Sequence, residues 1–203
     1  MILLNTWQTP FGLAPFDRIL DSDFSPAMDK ALEIALAGIL EIAESSEIPT
    51  FENTIIAQEV AESVLEQVAS VFYTLAGCDS NVVREELQRE FAHKISAYSS
   101  TVSSNKKLFE RIEYLWSNRS SLNLSPEQER VLMLTHRSFV RAGSQLKGKA
   151  ADRMAQIKSR LATLGTNFTQ NLLADERDWF LNLTVSDLLG LPDFVVASAR
   201  AAG

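Results

Sequence analysis

A chain of 203 residues, 46% hydrophobic and 22% charged, carries a formal charge of −7 and a pI near 4.9. That composition suits a globular protein of one or two domains with a sizeable core, and it excludes a generic nucleic-acid binder, which needs a basic face. No apolar run approaches the ~20 residues that cross a bilayer, and the start, MILLNTWQTPFG, lacks the basic region of a signal peptide. The single cysteine, Cys78, forbids an intrachain disulfide and fits a cytoplasmic setting. There the sequons at Asn118, Asn123, Asn167 and Asn182 stay unmodified.

Residues 1–24 mix prolines and aromatics without a period, and they read as an arm packed by Trp7, Phe11, Phe16 and Ile19. Ser25 then serves as an N-cap with Pro26 at the first helical position. Met28, Leu32, Ala35, Ile39 and Ile42 follow at three- and four-residue spacing and predict an amphipathic first helix. Next comes PTFENTI, Pro49 to Ile55. Pro49 cannot continue a helix, Thr50 is a good N-cap, and Glu52 places a negative charge on the first turn, so this stretch closes one helix and opens another.

The second helix runs to about Gly77 on a stripe of Ile56, Val60, Val64, Val68, Val71 and Leu75. A third carries Val83, Leu87, Phe91, Ile95, Tyr98 and Val102, and a shorter fourth covers NKKLFERIEYLWSN. Ser125, Pro126 and Gln128 supply an N-cap, an N1 proline and a capping-box acceptor for a fifth helix, which Gly143 ends. The sixth, roughly 149–174, shows Met154, Ile157, Leu161, Leu164, Phe168 and Leu172, a stripe that suits a bundle. Trp179 to Val185 then alternates with strand periodicity, and no second strand follows before the chain returns to helix. The predicted architecture is all-α: about six long helices over 25–177, preceded by the arm 1–24, with one isolated strand and a helix in 178–203. The unpartnered strand suggests a piece of a longer protein and offers a surface, Trp179 to Val185, for self-association.

Convergent chemistry is sparse. The only histidines are His93 and His136, and no H-E-x-x-H occurs, nor any G-x-x-x-x-G-K-[ST], G-x-G-x-x-G or G-x-S-x-G. Glu90 and His93 share a helical face as the E-x-x-H of di-iron bundles does, but the second copy is missing, and a surface histidine is the simpler reading. Glu52, Glu59, Glu62 and Glu66 read as a solvated acidic face. Cys78 reads as a small buried hydrophobe, and His136 as a residue of the core edge or surface. No catalytic, cofactor or metal residue is assigned.

The stretches PFDRI (15–19), FSPAMDKAL (24–32), PTFENTI with Glu59, LFERIEYLW (108–116), LTHRSFVRAGSQL (134–146), LATLGTNFTQNLLADE (161–176) and LLGLP (188–192) stand in an order that resembles the thimet-oligopeptidase family of zinc peptidases. The resemblance covers essentially all of the chain, and FENTIIAQE and RSFVRAGSQL favour the bacterial peptidyl-dipeptidase branch. It implies the N-terminal region of a nearly all-helical enzyme whose two halves enclose a channel for short peptides. In that family two histidines of H-E-x-x-H and a later glutamate hold Zn²⁺, and the motif glutamate activates the bound water. None of these has a counterpart here, so the resemblance implies a channel wall whose zinc ligands lie in a separate C-terminal catalytic region, and an isolated chain without activity. A free-standing acidic helical interaction module is the alternative from another class.

Overall fold

In the computed structural model the structure describes residues 1–202, leaving aside the side chains at 155, 158, 159, 162, 163, 166, 167, 169, 170, 173, 174, 176–178 and 202; the sequon at Asn167 therefore lies outside the described side chains. The helices are α1 (Asp21–Glu44), α2 (Ala57–Cys78), α3 (Val82–Ser104), α4 (Lys106–Asn118), α5 (Pro126–Ala142), α6 (Lys149–Asp178) and α7 (Asp193–Ala202). The all-α expectation holds. Among the described residues no strand forms: Trp179 and Thr184 have extended dihedrals, but nothing pairs with the stretch between them, and a 3₁₀ turn, Val185–Leu188, follows. Extended backbone without a ladder is not a strand. Its two faces do not differ either, since Trp179 is 71% and Phe180 is 76% exposed.

By contacts the chain divides into two compact units, Met1–Lys147 and Gly148–Gly203. In the first, α1 lies against α2, α3 and α4, and α4 against α5. Two apolar clusters share α1. Leu3, Phe24, Met28, Ala31, Val68, Phe72 and Phe91 form one. Ile39, Ile42, Phe51, Ile55, Leu108, Ile112, Leu115, Leu132 and Phe139 form the other. Phe72 meets Phe24 and Phe91 edge to face, with centroids 5.2 and 4.7 Å away, the geometry that ring quadrupoles favour. Where α1 crosses α2, a Cβ on Gly38 would stand 2.7 Å from the Cβ of Ala61, so only glycine lets the helices meet this closely.

Several sequence expectations need correction. Helix α1 begins at Asp21, four residues before Ser25. The Leu20 amide donates to the Asp23 carboxylate at 2.9 Å, which caps the helix earlier, and Pro26 sits inside the helix. There its missing N–H leaves the carbonyl of Ser22 without its helical donor. Ser25 instead donates to Glu90 at 3.3 Å. In the arm, Trp7 and Ile19 do pack against the core, but Phe11 is 99% exposed on left-handed backbone, Phe16 is exposed, and Leu3 fills the position inside. On the stretch from the turn before α2 to its end, Val68 and Val71 are buried while Ile56 and Val60 face outward. The buried set holds closer to the α-helical period, through Phe51, Ile55, Leu65, Val68 and Phe72, than the stripe read from the sequence. On α3, Phe91 is fully buried, and Val83 is exposed beyond the end of the core.

Fidelity is greatest where capping chemistry is strong. Ser125 accepts the Gln128 amide at 3.2 Å and Gln128 accepts the Ser125 amide at 2.9 Å, and Gly143 closes α5 at φ 95°. In the second unit the α6 stripe residues Ile157, Leu161, Leu164, Phe168 and Leu172 are exposed.

Candidate functional site

The turn PTFENTI folds around one side chain, Asn53. Thr50 Oγ1 accepts the Asn53 amide at 3.0 Å, and Asn53 Oδ1 accepts the Thr50 amide at 2.8 Å, a reciprocal cap built with asparagine. Asn53 Nδ2 donates to the Ile48 carbonyl at 3.0 Å. A single π-helical turn, Phe51–Ile56, carries the chain into α2. Across the gap, α4 contributes Arg111. Its guanidinium donates to the carbonyls of Ser45 at 3.1 Å and Glu47 at 2.9 Å, and to Asn53 Oδ1 at 2.8 Å. Arg111 is buried, and its Nε finds no partner. This clamp spends a buried cation on loop carbonyls, so the motif is structural: it fixes the α1–α2 connection onto α4.

The second constellation is built by α4 and α5, which run antiparallel. Phe109 stacks on Phe139, and two turns further along α4 Trp116 stacks on His136 at 4.9 Å and 14°. Arg119 covers the outer face of Trp116 at 4.1 Å, a cation–π contact. His136 Nε2 donates to Glu113 Oε2 at 2.8 Å, and Gln145 Nε2 donates to the same oxygen at 3.2 Å. Ser117 donates to the other oxygen at 3.3 Å. The hydrogen bond from His136 is the main cause that holds the Glu113 carboxyl below its usual range; partial burial works against it, and Gln145 and Ser117 assist. Ser144 Oγ donates to the carbonyl of Ser103 at 2.7 Å, so the segment after α5 is fastened at two points.

Between that segment and α4 lies a groove of about 620 Å³. Phe109, Tyr114 and Leu146 give it apolar surface, and Lys106, Glu110, Glu113 and Lys147 give it charge. It is concave and mostly apolar with a few charged groups, the kind of surface that takes a small ligand.

The residues singled out in the sequence are not brought together. Glu90 pairs with Lys94 at 2.6 Å, while His93, one turn on, is exposed. Glu59, Glu62 and Glu66 share a shallow pocket with Leu65 on α2, and Glu52 is exposed at the helix start. Glu62 accepts from the Tyr98 hydroxyl at 2.6 Å, and burial together with Glu62 pushes that hydroxyl's pKa up, so it stays a donor. Cys78 is exposed, against expectation, because it is the last residue of α2; its thiol donates to the Thr74 carbonyl at 3.0 Å. His136 sits at the core edge, as its flanking apolar stripe implied. Among the described residues no group of three or more His, Cys, Asp or Glu converges as metal ligands would. The two histidines stand on different helices, His93 on α3 and His136 on α5. No described helix is long and apolar enough to cross a membrane. Arg111 and Glu113 acquire their roles only through the registration of α4 against distant segments, and Asn53 adds to its local cap on Thr50 a bond from Arg111 that no local pattern shows.

A helical scaffold with a side groove and no convergent metal ligands among the described residues is defined by its relatives, which are peptidases. A dipeptidyl carboxypeptidase of Salmonella typhimurium is 32% identical over 204 residues, covering 98% of this chain and 30% of that protein. The Escherichia coli dipeptidyl carboxypeptidase is 31% identical over 94% of this chain and 28% of its own length. Oligopeptidase A of Escherichia coli is 26% identical over 98% of this chain and 29% of its own. The chain is a homologue of these peptidases, the family that its motifs resemble, and it spans less than a third of the length of the curated relatives it matches. No family model matches it.

Proposed function

We propose that the chain is the N-terminal, channel-wall region of a cytoplasmic zinc-dependent peptidyl-dipeptidase or oligopeptidase that hydrolyses short peptides. The observation that carries this reading is the alignment of 98% of this chain with 30% of a dipeptidyl carboxypeptidase. A wall of packed helices, braced by the Arg111 clamp and the Glu113–His136 pair, is suited to shaping access rather than to chemistry. The zinc ligands and the water-activating glutamate belong, on this reading, to a C-terminal region outside these residues. When bound there, zinc lowers the pKa of its water toward neutrality and polarises the scissile carbonyl. The test is the reading frame in which this chain lies. An H-E-x-x-H with a later glutamate, some hundreds of residues downstream, is expected; a stop directly after Gly203 overturns the reading and favours a free-standing interaction module.

A further inference from the structure

Between α5 and α6 the chain crosses residues 143–148, and a glycine at positive φ stands at each end: Gly143 at φ 95°, and Gly148 at φ 52° and ψ −135°. Such dihedrals suit glycine and few other residues. A Cβ on Gly148 would meet nothing within 4 Å, so its glycine answers to the backbone and not to a neighbour. Ser144, Gln145, Leu146 and Lys147 lie between the two and form one side of the groove of about 620 Å³. None of the four is buried, and neither apolar cluster of the first unit includes one of them. Their backbone bonds are local: the Ser144 amide donates to the Phe139 carbonyl at 3.1 Å and the Leu146 amide to the Gly143 carbonyl at 3.0 Å. Among the described residues, two side-chain bonds tie them to other elements. Ser144 Oγ donates to the Ser103 carbonyl of α3 at 2.7 Å, and Gln145 Nε2 donates to Glu113 Oε2 of α4 at 3.2 Å. No side chain caps the start of α6.

We propose that residues 143–148 are a hinged strap over the groove: Gly143 and Gly148 are its pivots, Ser144 and Gln145 its two latches, and its release bares the side of α4 that lines the groove. A segment without a buried anchor, held by a few bonds near solvent, opens locally at a cost far below that of global unfolding. Its φ/ψ change is absorbed at the ends, where glycine permits it. The two latches are unequal. The Ser144 bond is short and partly buried, whereas the Gln145 bond is longer, exposed, and made to an oxygen that His136 already holds at 2.8 Å. Gln145 is therefore the first to let go. Because no strap residue belongs to an apolar cluster, opening leaves the core of the first unit packed. The strap decides whether the groove is a walled slot or an open shelf on α4.

The inference rests on the geometry of these residues and not on the peptidase reading. Amide hydrogen exchange and trypsin cleavage of the 203-residue chain read it directly. The Leu146 amide reports on the strap, Leu132 and Phe139 of α5 serve as internal controls, and Lys147 is an exposed trypsin site within the strap. Gln145→Ala and Ser144→Ala each remove one latch from a side chain that is not buried, so the fold is kept, as a far-UV spectrum checks. Each should speed exchange at Leu146, corrected for its new neighbours, and cleavage after Lys147 by about three- to tenfold, the range of one hydrogen bond. Exchange at Leu132 and Phe139 and the urea midpoint should not move. Gly148→Ala places a Cβ on the second pivot, disfavours the latched dihedrals and should likewise speed exchange at Leu146. An unchanged Leu146 amide in any of the three variants would overturn the proposal. So would a rise shared equally by Leu132 and Phe139, which would show that the segment opens only when the whole unit unfolds.

Discussion

At the residue scale, two side chains on α4 decide most of what the first unit does. Arg111 is a buried cation whose donors go to three oxygens of the α1–α2 connection and of Asn53. Removing it leaves those acceptors unsatisfied and opens a void, so Arg111→Ala should cost roughly 2–4 kcal/mol in urea unfolding. Arg111→Lys should recover little, because one ammonium cannot reproduce a planar fork. An unchanged midpoint for the alanine variant would show that the clamp is dispensable. Glu113 acts through pH. Its folded pKa lies below the unfolded value of about 4.3. Its stabilisation is therefore fully present above that range and is lost as the pH falls through the lower folded value. The stability gap between the natural chain and Glu113→Gln should narrow from about pH 6 to about pH 3; a gap constant with pH would contradict this.

At the element scale, legibility follows the range of the interaction that sets each boundary. Helix α5 was readable at both ends, because Ser125, Gln128 and Gly143 act on their own neighbours. The start of α1 departs from the Ser25–Pro26 signal because Asp23, a side chain inside the first turn, caps the Leu20 amide. The alternation from Trp179 to Val185 was read as a strand, but a strand needs a partner that sequence periodicity does not supply. The crossing of α1 and α2 was invisible for the opposite reason. Gly38 looks like a weak point in a helix, yet its missing side chain makes room for Ala61. Gly38→Ala should therefore destabilise by roughly 1–3 kcal/mol through overpacking, although an open helix would gain about 1 kcal/mol from the same change. A raised melting temperature would refute the close contact.

At the scale of the whole molecule, the all-α class and the kinship were both legible, because hydrophobic period and motif order survive without coordinates. The candidate groove was not, since Glu113, His136 and Gln145 lie on segments joined only by the antiparallel register of α4 and α5. The second unit leaves Trp179, Phe180, Leu181 and Leu183 in water, with Trp179 71% exposed. Such an apolar cluster, on extended backbone that belongs to no ladder, favours association. Sedimentation of the chain should show concentration-dependent dimers that a version ending at Asp175 lacks; identical monomeric behaviour of the two would remove this surface from the account.

Peptide hydrolysis by the parent protein and by the 203-residue chain, assayed side by side on a blocked oligopeptide with and without a chelator, tests the central claim most directly. The account predicts chelator-sensitive cleavage by the parent and none by the chain alone. Cleavage by the chain alone that a chelator abolishes, or a parent that leaves the peptide intact with zinc supplied, would contradict it.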